Sequence, residues 1–202
     1  KENLIIALDG IAEKEALKIA RILKGKVWGS KVGDLLYEDS SIIRKLKKFG
    51  HVFADVKLHD IPNTVANSVK RLSYAGADMI TVHASGGVPM MKAAKQNAGR
   101  SKILAVTVLT SQNNKNTKRN VTKLAQDAID AGLDGVVCSG RELKALKGVR
   151  GIKSMIKVVP GIRPVWYSKK DDQKRTITPH EAIRLGADYL VIGRPITKAK
   201  SP

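Results

Sequence analysis

The sequence predicts an α/β fold, a (β/α)8 barrel of eight parallel strands whose final helix is truncated. Three observations predict it. Eight short apolar runs rich in β-branched residues alternate with stretches whose apolar residues recur at helical spacing. The units average roughly 25 residues, which suits a small barrel. The first run ends in Leu8-Asp9-Gly10, without the glycine-rich phosphate loop that follows strand one of a doubly wound open sheet.

The strands are read, in order, at Asn3–Asp9, Val27–Val32, Val52–Lys57, Met79–His83, Ile103–Leu109, Gly135–Cys138, Lys157–Pro160 and Tyr189–Ile192. Between the first two, Ala16, Ile19, Ala20 and Leu23 form a helical stripe. Ile42, Ile43, Leu46 and Phe49 form the next, followed by Val65, Val69 and Leu72, and later by Leu124, Ala128 and Ile129. Gly50, Gly76, Gly132 and Gly186 stand at helix-stop positions before a strand. The longest stretches without periodicity are Gln112–Asn120 and Val165–Thr178, lengths at which loops usually carry function. After the eighth strand only Pro195–Pro202 remain, too few for a full helix. No linker or low-complexity tract divides the chain, so residues 1–202 read as a single barrel domain.

Composition narrows the function. The 202 residues are 43% hydrophobic and 27% charged, which excludes a disordered or fibrous chain. The longest apolar run, Ile103–Leu109, falls far short of the roughly 20 residues of a membrane helix. No signal peptide is read at the N-terminus, and the expectation is a cytoplasmic protein without membrane association. A single cysteine, Cys138, excludes an internal disulfide framework and a multi-cysteine metal site. Lys and Arg number 37 against 18 Asp and Glu, a net charge of +19. The basic residues are scattered, with no RNA-binding aromatic motif, zinc finger or long basic tail. They read as solvated faces that attract anionic small molecules, and no specific nucleic-acid partner is expected.

Active sites of such barrels lie at the C-terminal ends of the strands. Those ends carry Asp9, Lys31, Asp55 and Lys57 with Asp60 beyond, His83, Thr110-Ser111, Arg163 after Pro160-Gly161-Ile162, and Gly193-Arg194. Asp55 and Lys57 are two residues apart and so face one side of a strand. With Lys31 they make an alternating positive–negative–positive array that favours charged lysines. Lys57 then suits proton donation better than Schiff-base chemistry, which needs a depressed lysine pKa. Val191-Ile192-Gly193-Arg194-Pro195 reads as an anion site in which Gly193 lets the backbone approach an oxygen and Arg194 supplies a two-pronged donor. Arg163 and, from the following loop, Gln173 are further phosphate candidates. His83 reads as a packed histidine rather than a base, and Cys138 as a small buried hydrophobe. His51 and His180 read as residues at element starts. No transition-metal spacing is present. Asp9 and Asp55 have the chemistry for Mg²⁺, but Lys31 and Lys57 beside them would compete with the cation.

These strings together resemble the orotidine 5′-phosphate decarboxylase family over essentially the whole chain. The resemblance rests on Ala7-Leu8-Asp9, Ser30-Lys31-Val32-Gly33, Asp55-Val56-Lys57-Leu58-His59-Asp60-Ile61-Pro62, Val108-Leu109-Thr110-Ser111, Pro160-Gly161-Ile162-Arg163-Pro164, Asp172-Gln173-Lys174-Arg175 and Val191-Ile192-Gly193-Arg194-Pro195. The Pro-Gly-Ile-Arg-Pro run and Asp172-Gln173 resemble the bacterial branch. The resemblance implies decarboxylation of orotidine 5′-monophosphate to uridine 5′-monophosphate in pyrimidine biosynthesis, without metal or cofactor. It implies that Asp9 and Lys31 contact the ribose, that Asp55 sits beside the substrate carboxylate and that Lys57 protonates C6. Thr110 would bond the pyrimidine edge, while Arg163, Gln173, Gly193 and Arg194 surround the phosphate. Asp60 and Thr64 would reach the partner's site in a homodimer.

Two alternatives remain at this stage. Metal-dependent sugar-phosphate lyases of the same suprafamily, of the 3-keto-gulonate 6-phosphate decarboxylase or hexulose-6-phosphate synthase type, resemble the chain at Asp9 and Asp-x-Lys-x-x-Asp. They carry a metal-binding glutamate where this chain has Lys31. A basic nucleic-acid-binding barrel is the alternative from another class, and it predicts steeply salt-dependent RNA binding.

Overall fold

The structure is a computed structural model that describes residues 3–108, 117–167 and 176–202. Eight strands pair in sequence order, each parallel to the next, and β8 closes on β1. They are β1 (Leu4–Ala7), β2 (Gly29–Val32), β3 (His51–Leu58), β4 (Met79–His83), β5 (Lys102–Val106), β6 (Gly135–Val137), β7 (Ile156–Val159) and β8 (Tyr189–Ile192). The helices are α1 (Glu13–Ile22), α2 (Leu35–Glu38), α3 (Ile42–Lys47), α4 (Pro62–Ala75), α5 (Gly87–Gln96), α6 (Thr117–Asp130), α7 (Leu143–Leu146), α8 (Pro179–Leu185) and α9 (Arg194–Thr197). The expected barrel and its short last helix are therefore present. One expectation is corrected: the stretch read as non-periodic from Gln112 to Asn120 is already helical at Thr117, because Val121, Ala125 and Ala128 extend the buried stripe back to it.

The strands are apolar on both faces because both are covered. Ile5, Phe53, Met79, Leu104, Val158 and Val191 form one buried cluster. Their neighbours Ile6, Ala54, Ile80, Ile103, Ala105 and Ile192 belong to a second, larger cluster with the helices. That alternation separates barrel interior from helix layer, as the period of two along a strand requires.

Three of the four helix-stop glycines close their helices. Gly76, Gly132 and Gly186 have φ of 105°, 73° and 103°, the left-handed conformation glycine adopts at least cost. Gly50 differs: its φ is 157°, and α3 is capped by Lys48. Two residues after each of the three stands an aspartate that ties the bottom of the barrel together. Asp78, Asp134 and Asp188 accept the backbone N–H of Val52, Ile103 and Lys157 at 2.7, 2.8 and 2.7 Å. Their own N–H groups return bonds to the carbonyls of the same three residues. Each carboxylate also holds a lysine, Lys47, Lys95 and Lys157, at 2.7–2.9 Å. The strands β4, β6 and β8 are thereby each stapled to their predecessor at the N-terminal face, which leaves the opposite face for chemistry.

Candidate active site

The C-terminal ends of β1, β2 and β3 bring four charged side chains together. Asp9 follows β1, Lys31 lies on β2, and Asp55 and Lys57 lie on β3. Lys31 Nζ donates to Asp9 and stands 3.0 Å from Asp55 Oδ2. Lys57 Nζ approaches the same Oδ2 at 2.9 Å. The result is an unbroken chain, Asp9–Lys31–Asp55–Lys57, with the Lys31 ammonium between the two carboxylates. Gly33 makes this packing possible, since a Cβ there would lie 2.9 Å from Asp9 Oδ1 and 3.2 Å from the Asp55 carbonyl.

Burial and charge act in opposite directions in this chain. Burial disfavours ionisation of Asp55, but the flanking ammoniums of Lys31 and Lys57 outweigh it and hold the carboxyl down at about 2. Burial likewise works against the Lys31 charge, yet Asp55 and Asp9 raise its pKa to about 12. Both groups are fully charged at neutral pH. His83 is held below its ordinary value by burial, with His59 and Lys57 adding to it, which fits a neutral packed ring 5.6 Å from that of His59. Cys138 is buried and its thiol is pushed far up, as for an inert hydrophobe.

Asp55 and Lys57 do converge, but simple strand alternation is not how they do so. The pairing of β3 with β4 shifts register between Ala54 and Leu58. Within that bulge Lys57 has φ of 49°, the only positive value on a non-glycine residue among those described. Such a backbone costs about 1–3 kcal/mol and persists only where surrounding contacts impose it.

These residues line one cavity of about 540 Å³ at the mouth of the barrel. Its opposite wall, beyond β1, carries Arg163 after β7 and Gly193 and Arg194 after β8. Pro195 occupies the first turn of α9. Arg163 donates to the Ile162 carbonyl and lies over the Tyr167 ring at 5.6 Å. The apolar lining between the walls includes Phe53, Val106, Val137 and Cys138. The cavity thus pairs a mixed-charge wall with a cationic one across an apolar floor, a shape for a ligand with an anionic tail and a second, smaller charged group.

Asp9, Lys31, Asp55, Lys57, Arg163, Gly193 and Arg194 are therefore gathered in one place. Asp60 and Thr64 are not among them. Both are exposed, and Asp60 lies in a separate depression with His59, Ile61, Pro62, Ser85 and Gly86. Its carboxylate caps the N–H of Ile61 at 2.6 Å. Thr110 and Gln173 lie outside the described residues. Among those described, no three His, Cys, Asp or Glu side chains group as a metal site, and the position between Asp9 and Asp55 is filled by an ammonium. Sequence reasoning missed Thr81, whose hydroxyl bonds both Asp55 and Lys57, and Lys198, which lines the cationic end. A lone threonine in an apolar strand and a lysine near the chain end gave no signal.

The profile of the orotidine 5′-phosphate decarboxylase / HUMPS family matches residues 2–202. The chain belongs to that family. An orotidine 5′-phosphate decarboxylase of Streptococcus agalactiae is 50% identical over 85% of this chain and 79% of its own. One from Dichelobacter nodosus is 44% identical over 98% of this chain and 93% of its own. The crystal structure of orotidine 5′-phosphate decarboxylase from Lactobacillus acidophilus superposes with a TM-score of 0.84 at 35% identity, covering 100% of this chain and 94% of that one. The family, the lyase class and the parallel barrel expected from the sequence are borne out. No helix among the described residues is long and apolar enough to cross a membrane.

Proposed function

We propose that this chain, as one catalytic domain, converts orotidine 5′-monophosphate to uridine 5′-monophosphate and CO₂ in pyrimidine biosynthesis. The observation that carries the proposal is the Asp9–Lys31–Asp55–Lys57 chain facing Arg163 and Arg194 across one cavity. The phosphate lies against Arg163, Gly193 and Arg194, and Gln173 joins them from outside the described residues. The ribose hydroxyls meet Asp9 and Lys31, and Thr110, also outside the described residues, bonds the pyrimidine edge.

This arrangement sets the substrate carboxylate beside ionised Asp55. The C6–carboxylate bond breaks, CO₂ departs, and its electron pair stays on C6. Lys57 transfers a proton from Nζ to C6 and regains one from water. The two ammoniums stabilise the charge that develops at C6, in a site that needs no reorganisation to do so. Binding energy from the distant phosphate holds the carboxylate against Asp55. In this reading the enzyme uses no metal or cofactor, since the Lys31 ammonium stands where a divalent cation bridging Asp9 and Asp55 would sit. The same feature disfavours the metal-dependent sugar-phosphate lyases. The enzyme acts in the cytoplasm as a homodimer, with Asp60 and Thr64 of each subunit reaching the other's cavity, and it binds no nucleic acid specifically.

The test is an ultraviolet assay of purified protein with orotidine 5′-monophosphate and excess chelator. Loss of the substrate band with one CO₂ per uridine 5′-monophosphate supports the proposal. A folded protein that is inactive until Mg²⁺ is restored, or that acts only on a sugar phosphate, would overturn it.

A further inference from the structure

Thr81 lies on β4, fully buried, with the side-chain parity of Met79 and hence facing the barrel interior. Its Oγ1 accepts the backbone N–H of Lys57 at 2.9 Å and donates to Asp55 Oδ1 at 3.0 Å. The direction of both bonds is forced. An amide N–H only donates and an ionised carboxylate only accepts, so the single hydroxyl proton points at Asp55. The three donors to Asp55 are thereby divided. Thr81 takes Oδ1, while Lys31 and Lys57 share Oδ2. Thr81 also stands opposite the bulge, between the pairs Ala54–Ile80 and Leu58–Val82, where the β3–β4 ladder is interrupted. It satisfies the N–H of the one described non-glycine residue with positive φ.

We propose that Thr81 is a positioning residue for the decarboxylation, one hydroxyl that fixes both the rotamer of Asp55 and the strained backbone of Lys57. The inference rests on the proposed reaction for its kinetic consequence, but its geometry stands without it. In this role Thr81 contacts neither substrate nor reacting atoms. It aims Oδ2 at the two ammoniums and holds Lys57 in the bulge that turns Nζ toward the cavity. Valine is nearly isosteric and would leave the strand packing intact. It would also leave a buried N–H and a carboxylate oxygen without their partner.

The test compares Thr81→Val and Thr81→Ser with the unaltered protein. For Thr81→Val, kcat for orotidine 5′-monophosphate should fall about ten- to hundredfold, the range of one lost bond to a charged group, with KM within about twofold. Thr81→Ser retains the hydroxyl and should recover most of kcat. If the valine variant is too unstable to assay, Thr81→Cys, close in size but a weak donor, takes its place with the same expectation. A readout independent of activity is the Asp55 carboxyl titrated by NMR in unliganded protein. The charged or titratable groups facing it are Lys31, Lys57 and, further off, His83. Loss of the hydroxyl should move its pKa upward from about 2. Unchanged kcat and an unmoved titration in the folded valine or cysteine variant would overturn the proposal, as would a serine variant as impaired as valine. An unaltered protein inactive on this substrate would contradict the reaction and leave the titration to decide on Thr81.

Discussion

At the bottom of the barrel, Asp78, Asp134 and Asp188 each hold a lysine and also accept a backbone N–H from the neighbouring strand. At the top, the same two residue types form Asp9–Lys31–Asp55–Lys57, in which the carboxylate of Asp55 accepts only side-chain donors among the hydrogen bonds and ion pairs described. The bottom carboxylates serve the sheet, and each holds its lysine beside that backbone bond. The top array spends its carboxylates on holding ammonium groups in a cavity. Whether the carboxylate also accepts a backbone N–H separates a staple from a reactive site, and the residue types alone do not.

The comparison breaks most visibly at Asp55. Asp55→Ala leaves Lys31 and Lys57 adjacent with no charge between them. It should lower kcat by at least about 10³-fold and stability by about 3 kcal/mol, read by turnover and urea unfolding. At the cationic wall, Arg194→Ala should weaken binding of uridine 5′-monophosphate by about 1.5–3 kcal/mol, read by calorimetry, with the fold unaffected.

Acid titration sharpens the contrast next. The Asp55 carboxyl lies near 2 in the folded chain against 3.8 ordinarily. As pH falls, the unfolded chain takes up that proton first. The stabilisation, about 2 kcal/mol, is complete above about pH 4 and is lost as pH falls toward 2. Lys31 acts at the other extreme: its contribution is complete below 10.5 and is lost as pH rises toward 12. Urea midpoints measured across pH should show both losses; in Asp55→Ala the acid loss should vanish and the alkaline one shrink, because Asp9 still pairs with Lys31. At the bottom, Asp134→Ala strands the N–H of buried Ile103. It should cost about 1–3 kcal/mol of stability and leave kcat unchanged, so a fall in kcat there would erase the distinction between the two ends.

Much of this was legible in the sequence. Eight apolar runs gave all eight strands to within two or three residues, because a strand covered on both faces must be apolar throughout. Asp9, Lys31, Asp55, Lys57, Arg163 and Arg194 meet at one mouth because closure of the barrel brings the strand ends together, whereas Asp60, further along the chain from β3, lies outside it. The Gly-x-Asp echoes were visible as a rhythm, but the task of each aspartate was not. Its backbone partner lies 26–31 residues away, on the preceding strand. The bulge at Lys57 was equally hidden: alternation placed Asp55 and Lys57 on one face by a rule that the real backbone breaks. Thr81 reads in sequence as one more β-branched strand residue, and only the pairing with β3 reveals its second bond.

The most direct measurement is single-turnover decarboxylation of orotidine 5′-monophosphate by Lys57→Ala, with the urea midpoint taken on the same preparation. The expected result is a rate lower by about 10³-fold or more with a midpoint close to that of the unaltered protein. A folded Lys57→Ala protein that still turns over substrate within about tenfold of the unaltered rate would contradict the assignment of the proton to Lys57. The charged chain at the top of the barrel would then be another staple.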